Sequence, residues 1–243
     1  VDVAELDLAY IHGFNYANPI LPRALEQVDW SLWQADYLTD QQQASFLYSA
    51  FAELERRGVK LFNPPGTLVQ NFLKADLLER LRDAGLRVPR MICTNDPAAA
   101  EAFVAELRPT PTAWRPATGR ATWQLFLDRQ KQYLIALRKP PVLLAEGIDG
   151  PLIRAYLLNG QPLLCLKRNA PVNTWNAETL EVFEAIECPE VYAALRRLTE
   201  VISLRWGLVL FVLREGQAWI YDIDADPIYD WLPAAFQQRL TES

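Results

Sequence analysis

Three aspartates spaced two residues apart, Asp222, Asp224 and Asp226, are the residues of this sequence best suited to hold a metal ion. They follow an apolar, aromatic run that begins at Ala218 and is typical of a buried strand, which Pro227 then ends. Alternate residues of a strand share one face, so the three carboxylates would point the same way if the strand continued that far. Such carboxylates repel each other unless a cation lies among them, and oxygen ligands of this kind suit Mg²⁺. The alternative interpretation is a solvated acidic strand end.

The composition argues against several other kinds of site. His12 is the only histidine, and a Ser-His-Asp triad or a histidine-rich zinc site would need more or better-placed histidines. Cys93, Cys165 and Cys188 lack metal-type spacing and fit a reducing compartment, which predicts a cytoplasmic location. The net charge of −6 argues against a nucleic-acid binder. No apolar run approaches the length of a membrane span, and no signal-peptide pattern opens the sequence.

The first part of the chain is predicted to form a β-α-β unit. Strands at 7–11 and 59–62 flank an amphipathic helix from Asp40 to Arg57, an order that favours parallel pairing of the two strands. Residues 15–33 show little periodicity and are predicted to form a packed surface loop. A second helix is predicted from about Thr67 to Asp83.

The remainder is predicted to form two α+β lobes. The predicted elements are a strand at 88–93, a helix at 97–107, strands at 112–116, 122–127, 142–145, 151–158 and 162–167, helices at 177–186 and 189–206, a hairpin of strands 208–213 and 218–223, and a helix at 233–240. The predicted fold class is therefore α+β, with an α/β lobe at the N-terminus.

Several short segments occur in an order and at spacings that are more specific than any one of them. They are Gly58–Pro65, Lys74 followed by Leu77, Leu78, Gly85 and Val88-Pro89, Ala113–Pro116 with Gly119, Leu143–Ile148, Asp149–Arg154 with Leu157–Gly160, Lys167–Asn169, and Asp222–Pro227. The last is similar to an E-V-N-x-x-P motif. Together they resemble the ATP-grasp superfamily, in particular its glutathione synthetase-like and RimK-like carboxylate–amine ligases. The resemblance spans roughly residues 59–231.

This resemblance implies the ATP-grasp fold, in which a nucleotide cleft lies between two α+β lobes. The implied parts are an abbreviated pre-ATP-grasp α/β lobe at 1–66, a small subdomain with its linking helix at 67–145, and a C-terminal subdomain with the metal site at 146–243. The implied activity is an ATP- and Mg²⁺-dependent ligase, which activates a carboxylate as an acyl phosphate and joins it to an amine. A small molecule or a peptide would supply the carboxylate and the amine, and the protein is expected to form a homodimer.

The resemblance also implies where the phosphates and the metal would bind. Lys74 and Arg115 would be the cations over the α- and β-phosphates, next to the loop that contains Gly119. Asp222 and Asp224 would hold Mg²⁺ through their carboxylate oxygens.

The remaining implied roles concern the adenine base and the substrate. Glu146 and the neighbouring backbone would read the edge of the adenine, and Ile148 and Leu144 would sandwich the ring. Arg154 and Arg168 would lie near the acyl phosphate or the acceptor carboxylate, a role that suits a planar, bidentate guanidinium.

Two departures from the family pattern leave a second function open. The loop after Pro116 holds one glycine, so its backbone approaches phosphates less closely than a glycine-rich loop would. Leu213 and Arg214 stand where another metal-binding aspartate is expected, and a cation there would partly offset Asp222 and Asp224. The alternative is a degenerate ATP-grasp binding module that recognises a peptide or protein through the aromatic loop around Phe14 and Trp30.

Overall fold

The computed structural model describes residues 6–11, 29–70, 72–117, 123–127, 141–168, 183–227, 229–230 and 232–241. The chain divides into two compact units, Val1–Val69 and Gln70–Ser243. Within the described residues, no helix combines the length and the apolar character needed to cross a membrane. Gly119 and most of the predicted aromatic loop lie outside the described residues.

The first unit contains the predicted β-α-β arrangement. Strands β1 (Leu8–Tyr10) and β2 (Lys60–Phe62) pair in parallel, as predicted, and helix α1 (Trp30–Arg56) lies between them in the chain. The helix begins at Trp30 rather than at Asp40, so residues 30–33 are helical and the loop prediction is wrong there. The carboxylate of Asp29 accepts a hydrogen bond from the N–H of Ser31 at 3.0 Å, which caps the earlier start.

The predicted helix from Thr67 to Asp83 is two helices, α2 (Pro65–Gln70) and α3 (Lys74–Asp83). The backbone of Leu73, at φ −102° and ψ 49°, lies outside the helical region and separates α3 from the preceding turn. A new helix therefore starts at Lys74, which gives this lysine a fixed place at the first turn.

A four-stranded antiparallel sheet forms one half of the second unit. Its strands lie in the order β3-β6-β4-β5. They are β3 (Met91–Thr94), β4 (Thr112–Pro116), β5 (Gln124–Leu125) and β6 (Val142–Glu146). Helix α4 (Pro97–Leu107) has the predicted bounds, because Asp96 caps it by accepting a hydrogen bond from the N–H of Ala98 at 2.9 Å.

A five-stranded antiparallel sheet forms the other half. Its strands lie in the order β11-β10-β7-β8-β9. They are β7 (Leu152–Leu158), β8 (Gln161–Arg168), β9 (Phe183–Ile186), β10 (Trp206–Arg214) and β11 (Gln217–Asp224), with helices α5 (Tyr192–Ile202) and α6 (Ala234–Thr241) beside them in the chain.

Two predicted helices near this sheet are corrected. Residues 183–186 form β9, which pairs with the edge of β8 from Cys165↔Ile186 to Arg168↔Phe183, so tertiary pairing overrides the helical spacing seen in the sequence. The predicted helix at 189–206 ends at Ile202, because Ser203 adopts a left-handed conformation with φ 55° and Trp206 already belongs to β10. Residues 177–182 lie outside the described residues.

The two sheets of the second unit pack on a shared apolar cluster. Ala113, Leu143 and Ala145 contribute from the four-stranded sheet, and Leu152 and Val212 from the five-stranded sheet. These side chains are buried, so the sheet faces that carry them are in contact with each other. The predicted α+β fold class is confirmed.

Candidate functional site

A bulge in β11 sends two consecutive side chains towards the four-stranded sheet. Phe211 pairs with Ile220 and Leu210 pairs with Asp222, so Tyr221 is an extra residue in the ladder. Tyr221 reaches residues 146–148, which we call the hinge, and Asp222 reaches β4. In a regular strand these neighbours would point to opposite faces.

Asp222 forms ion pairs with two cations from other elements. Its Oδ1 lies 2.8 Å from the Nζ of Lys74, and its Oδ2 accepts a hydrogen bond from the guanidinium of Arg115. The ammonium of Lys74 also donates to the carbonyl of Ile223, and the Nε–H of Arg115 donates to the carbonyl of Pro116 at 3.2 Å. We call Lys74, Arg115 and Asp222 the charged cluster.

The charged cluster holds more positive than negative charge in a buried place. Lys74 and Arg115 are 3% and 1% exposed, and the side chain of Asp222 is 19% exposed. Burial acts to raise the pKa of Asp222, but Lys74 and Arg115 outweigh it and lower that pKa below its usual value. Asp222 is therefore an anion at neutral pH, and two cations face one carboxylate. Such a cluster is suited to receive a further anion.

Asp222, Asp224 and Asp226 do not form a single row of carboxylates on one strand face. The strand ends at Asp224, whose Oδ1 accepts a hydrogen bond from the N–H of Asp226 at 3.0 Å in the following turn. The condition for all three carboxylates to share a strand face is thus not met, because Asp226 lies beyond the strand. In the described part of the chain, no group of three or more His, Cys, Asp or Glu residues is arranged to hold a metal ion.

The hinge lies next to the charged cluster and is tightly fixed. The N–H of Gly147 donates to the carbonyl of Pro111 at 2.7 Å, and a side-chain carbon at Gly147 would lie 2.7 Å from that same oxygen. Only glycine allows the backbone this close. The carbonyl of Glu146 and the N–H of Ile148 both face the hydroxyl of Tyr221, at 2.5 Å and 2.7 Å.

Trp123 connects the hinge side to the charged side. Its indole N–H donates to the carbonyl of Tyr221 at 3.1 Å, and the two rings meet edge to face with centroids 5.6 Å apart. The guanidinium of Arg115 lies 5.9 Å from the centroid of the Trp123 ring. The hinge, Trp123, Tyr221 and the charged cluster together form what we call the intersheet site.

No family model and no curated protein sequence matches this chain. Solved structures do match it. The ATP-grasp ligase PsnB, complexed with a minimal precursor, Mg and ADP, has a TM-score of 0.72 at 23% identity, covering 96% of this chain and 72% of that chain. The macrocyclase MdnC from Microcystis aeruginosa MRC, bound with the precursor peptide MdnA, has a TM-score of 0.73 at 15% identity, covering 100% of this chain and 79% of that chain.

A D-alanine–D-alanine ligase from Bacillus anthracis, complexed with ATP, has a TM-score of 0.58 at 17% identity, covering 73% of this chain and 63% of that chain. The fold of this chain is therefore similar to that of several ATP-grasp ligases. This chain has the ATP-grasp fold. The intersheet site lies between the two sheets of that fold.

Of the residues predicted to contact adenine, Leu144 is placed apart from the others. Ile148 is 2% exposed and lies in the cluster between the two sheets. Leu144 points to the opposite face of β6 and packs with Phe103 and Leu107 of α4. Because alternate residues of a strand face opposite ways, Leu143 and Ala145 occupy the face towards the intersheet site.

The two predicted substrate arginines share a sheet face with Asp222. Arg154 pairs with Leu210 of β10, which pairs with Asp222, so the three residues form one row across three strands. Arg168 pairs with Leu152 one step along the same face of β7 and is 6% exposed. The guanidinium of Arg154 lies 5.1 Å from the centroid of the Phe183 ring. The ATP-grasp fold thus brings both arginines to the face that packs on the four-stranded sheet.

The prediction that the cation of Arg214 partly offsets the charges of Asp222 and Asp224 is wrong. Leu213 pairs with Ala218 and Arg214 pairs with Gln217 at the end of the hairpin, several rows away from Asp222. Arg214 lies 3.7 Å from Glu215 in an exposed ion pair. The residue opposite Asp222 is Leu210, so the position facing it on β10 carries no third carboxylate.

Tyr221 and Trp123 belong to the intersheet site, although no motif of the sequence predicts a role for either residue. Tyr221 stands in the aromatic run that precedes Asp222, but a regular strand would turn its side chain away from the face of Asp222. The bulge that reverses this expectation depends on pairing with β10, which the sequence alone does not specify. Trp123 was predicted only as part of a hairpin strand at 122–127. A buried tryptophan usually has a hydrogen-bond partner for its indole N–H, and this requirement is the feature of the sequence that could have indicated a role for Trp123.

Proposed function

We propose that this chain is an ATP- and Mg²⁺-dependent carboxylate–amine ligase. The observation that carries the proposal is the charged cluster, in which Lys74 of α3, Arg115 of β4 and Asp222 of β11 converge beside the hinge of an ATP-grasp fold. Side chains from three separate elements meet at this one buried place. A triphosphate needs cations around its oxygens and a carboxylate to share its metal, and this cluster supplies both.

Lys74 and Arg115 are the groups that would bind the phosphates. Both already donate hydrogen bonds to a carboxylate, and phosphate oxygens accept from the same donors in the same way. Replacement of one anion by another costs less than bringing a phosphate to a neutral place, because the two cations are already buried. Their fixed positions on a helix and a strand would hold the phosphates without a large rearrangement.

Asp222 and Asp224 are suited to share a Mg²⁺ ion with the phosphates. Mg²⁺ is commonly held by one or two carboxylates together with substrate phosphates, and β11 provides two carboxylates at its end. The ion would supply neutralisation of the phosphate charge. Asp222 would exchange its contacts with Lys74 and Arg115 for this role, while these two cations turn to the phosphates.

Arg154 and Arg168 are proposed to bind the carboxylate that is activated. They lie on the same sheet face as Asp222, and a planar guanidinium matches a carboxylate in a bidentate way. This type of ligation needs no protein nucleophile, since orientation and charge neutralisation lower the barrier. PsnB and MdnC are complexed with precursor peptides, which favours a peptide as the source of the carboxylate.

The test is the release of ADP and phosphate from Mg-ATP in the presence of peptides that carry free carboxylates and amines. At about 100-fold excess over its Kd, Mg-ATP should stabilise the wild-type protein by about 2.7 kcal/mol. The Asp222→Asn variant should lose ADP release. The matched control is Glu106→Gln, which removes a carboxylate paired with Arg90 on the surface, and it should behave as wild type. No nucleotide-dependent stabilisation of the wild-type protein would refute the proposal.

A second function, a peptide- or protein-binding module without catalysis, is favoured by one observation. Leu210 occupies the position opposite Asp222, so the metal would have carboxylates from β11 only. A protein that binds Mg-ATP and a peptide yet never releases ADP would support this second function. A homodimer and a cytoplasmic location remain predictions, the first of which light scattering would test.

A further inference from the structure

The hydroxyl of Tyr221 bridges the two hinge groups that face the intersheet site. It donates to the carbonyl of Glu146 at 2.5 Å and accepts from the N–H of Ile148 at 2.7 Å. Burial raises the pKa of the Tyr221 phenol, an effect that the hydrogen bond from Ile148 offsets only in part, so the hydroxyl keeps its proton at neutral pH. The side chain is fully buried. The hinge pair is therefore satisfied from within the chain.

An adenine base would need these same two groups. One edge of adenine presents an amino group that donates and a ring nitrogen that accepts, and a carbonyl followed two residues later by an N–H is their complement. A tyrosine hydroxyl also donates and accepts, so one oxygen atom can take the place of that edge. The Tyr221 hydroxyl and an adenine base would therefore compete for the hinge. The N–H of Ile148 can donate to one of them at a time, and the space next to it holds one of them at a time.

We propose that Tyr221 is a specificity-determining residue that closes the base site, so that adenine binds at the hinge only when the Tyr221 side chain is displaced. This inference rests on the proposed nucleotide-dependent function. The bulge in β11 is what brings the phenol to the hinge, and Trp123 holds it there through the hydrogen bond to the Tyr221 carbonyl and the edge-to-face contact.

If Tyr221 closes the base site, the protein should bind triphosphate and adenosine differently. The charged cluster, which is proposed to bind the phosphates, does not involve the phenol, so inorganic triphosphate with Mg²⁺ should bind without displacing Tyr221. Adenosine has no phosphates and must compete with the phenol directly. Its apparent affinity is reduced by the fraction of molecules in which the hinge is free.

The experiment measures binding of adenosine and of Mg-triphosphate to the wild-type protein, Tyr221→Phe and Tyr221→Ala. Tyr221→Phe removes the competing hydroxyl and should strengthen adenosine binding by roughly tenfold, the factor expected when the closed state loses its hydrogen bonds to the hinge. Tyr221→Ala also removes the ring and should strengthen it further. The affinity for Mg-triphosphate should not change in either variant.

The matched control is Tyr156→Phe. Tyr156 lies in β7 with its ring fully buried, and its hydroxyl has no hydrogen-bond partner among the described residues. Its removal should leave adenosine binding at the wild-type level. Hydrogen exchange at the amide of Ile148 gives a second readout, since this N–H should exchange faster in Tyr221→Phe and at the wild-type rate in Tyr156→Phe.

The inference is overturned if both Tyr221 variants bind adenosine no more tightly than the wild-type protein. If Tyr221→Ala does not fold, Tyr221→Phe alone decides. The failure of the proposed function has a different signature, which is the absence of Mg-triphosphate binding to the charged cluster together with the absence of ADP release. A purely structural tyrosine would lower the melting temperature on substitution and leave the adenosine affinity unchanged.

Discussion

The hinge and the charged cluster lie side by side in the intersheet site, and consecutive residues of β11 fill them in different ways. Tyr221 meets the hinge with a neutral hydroxyl and two backbone partners. Asp222 meets the cluster with a carboxylate and two cations. The first arrangement is insensitive to salt and to pH near neutrality. The second depends on charges that a phosphate or an acid can change.

Of these two parts of the site, the charged cluster is the one that is prepared to bind a ligand. The charged cluster contains two cations and one carboxylate, so its net positive charge favours the binding of a second anion. The hinge has its donor and acceptor already paired, so a base gains nothing until Tyr221 leaves. A nucleotide would therefore be attracted by its phosphates before its base is read.

The largest effect is expected when the charged cluster loses its anion. Asp222→Ala leaves two buried cations facing each other and should destabilise the protein by about 3 kcal/mol, the lower end of the range for a broken buried ion pair, because Asp222 keeps some exposure to solvent. Urea unfolding measures the free energy of unfolding. Equal stability of the variant and the wild-type protein would show that the cluster is not a stabilising unit.

Acid should reproduce part of this effect without a mutation. The folded-state pKa of Asp222 lies below its usual value of about 3.9, so its stabilising contribution is complete above that value and is lost as the pH falls through the lower folded-state pKa. The stability of Asp222→Asn should lack this step. The comparison is the pH dependence of unfolding for both proteins between neutrality and strong acid, and parallel curves would contradict the ion-pair interpretation.

A smaller loss is expected at the hinge. Tyr221→Phe leaves the carbonyl of Glu146 and the N–H of Ile148 without their partner, which should cost about 1–3 kcal/mol of unfolding free energy. In contrast to the effect of Asp222→Ala, this loss should be the same at low and high salt, because no charge is involved. A strong salt dependence would mean that the two halves are not separate.

The smallest effect belongs to an exposed ion pair. Lys167 of β8 and Glu184 of β9 lie 3.8 Å apart, and their side chains are 36% and 55% exposed. Lys167→Ala should change the free energy of unfolding by less than about 1 kcal/mol. A loss comparable to that of Asp222→Ala would remove the distinction between buried and exposed pairs on which the first prediction depends.

The sequence was sufficient for the fold but not for the register. Local signals in the sequence predict the parallel pairing of β1 with β2, helix α4 and strand β4. The start of α4, for example, follows from the Asp96 cap and the Pro97 after it. The sheet face to which each side chain of β6 and β11 points does not follow from such local signals. The sequence predicts that Leu144 contacts adenine, but this side chain lies on the opposite face of β6 from Leu143 and Ala145, and the bulge brings Tyr221 to the same face as Asp222.

Residues that depend on long-range pairing could not be assigned from the sequence. The family pattern places Leu213 and Arg214 where another metal-binding aspartate is expected, whereas the residue of β10 that pairs with Asp222 is Leu210. The segment at 183–186 has helical spacing but pairs with β8. In both cases the deciding partner is a strand elsewhere in the chain, which a local pattern does not contain.

Titration calorimetry of Mg-ATP with the wild-type protein and with Arg115→Met tests most directly whether the charged cluster binds phosphate. Methionine keeps most of the side-chain volume and leaves Asp222 paired with Lys74, so the fold should persist. We expect saturable binding to the wild-type protein and an affinity at least about tenfold lower for Arg115→Met, the cost of one charged hydrogen bond to phosphate. Absence of binding to the wild-type protein, or equal affinities of the two proteins, would show that the charged cluster does not bind phosphate.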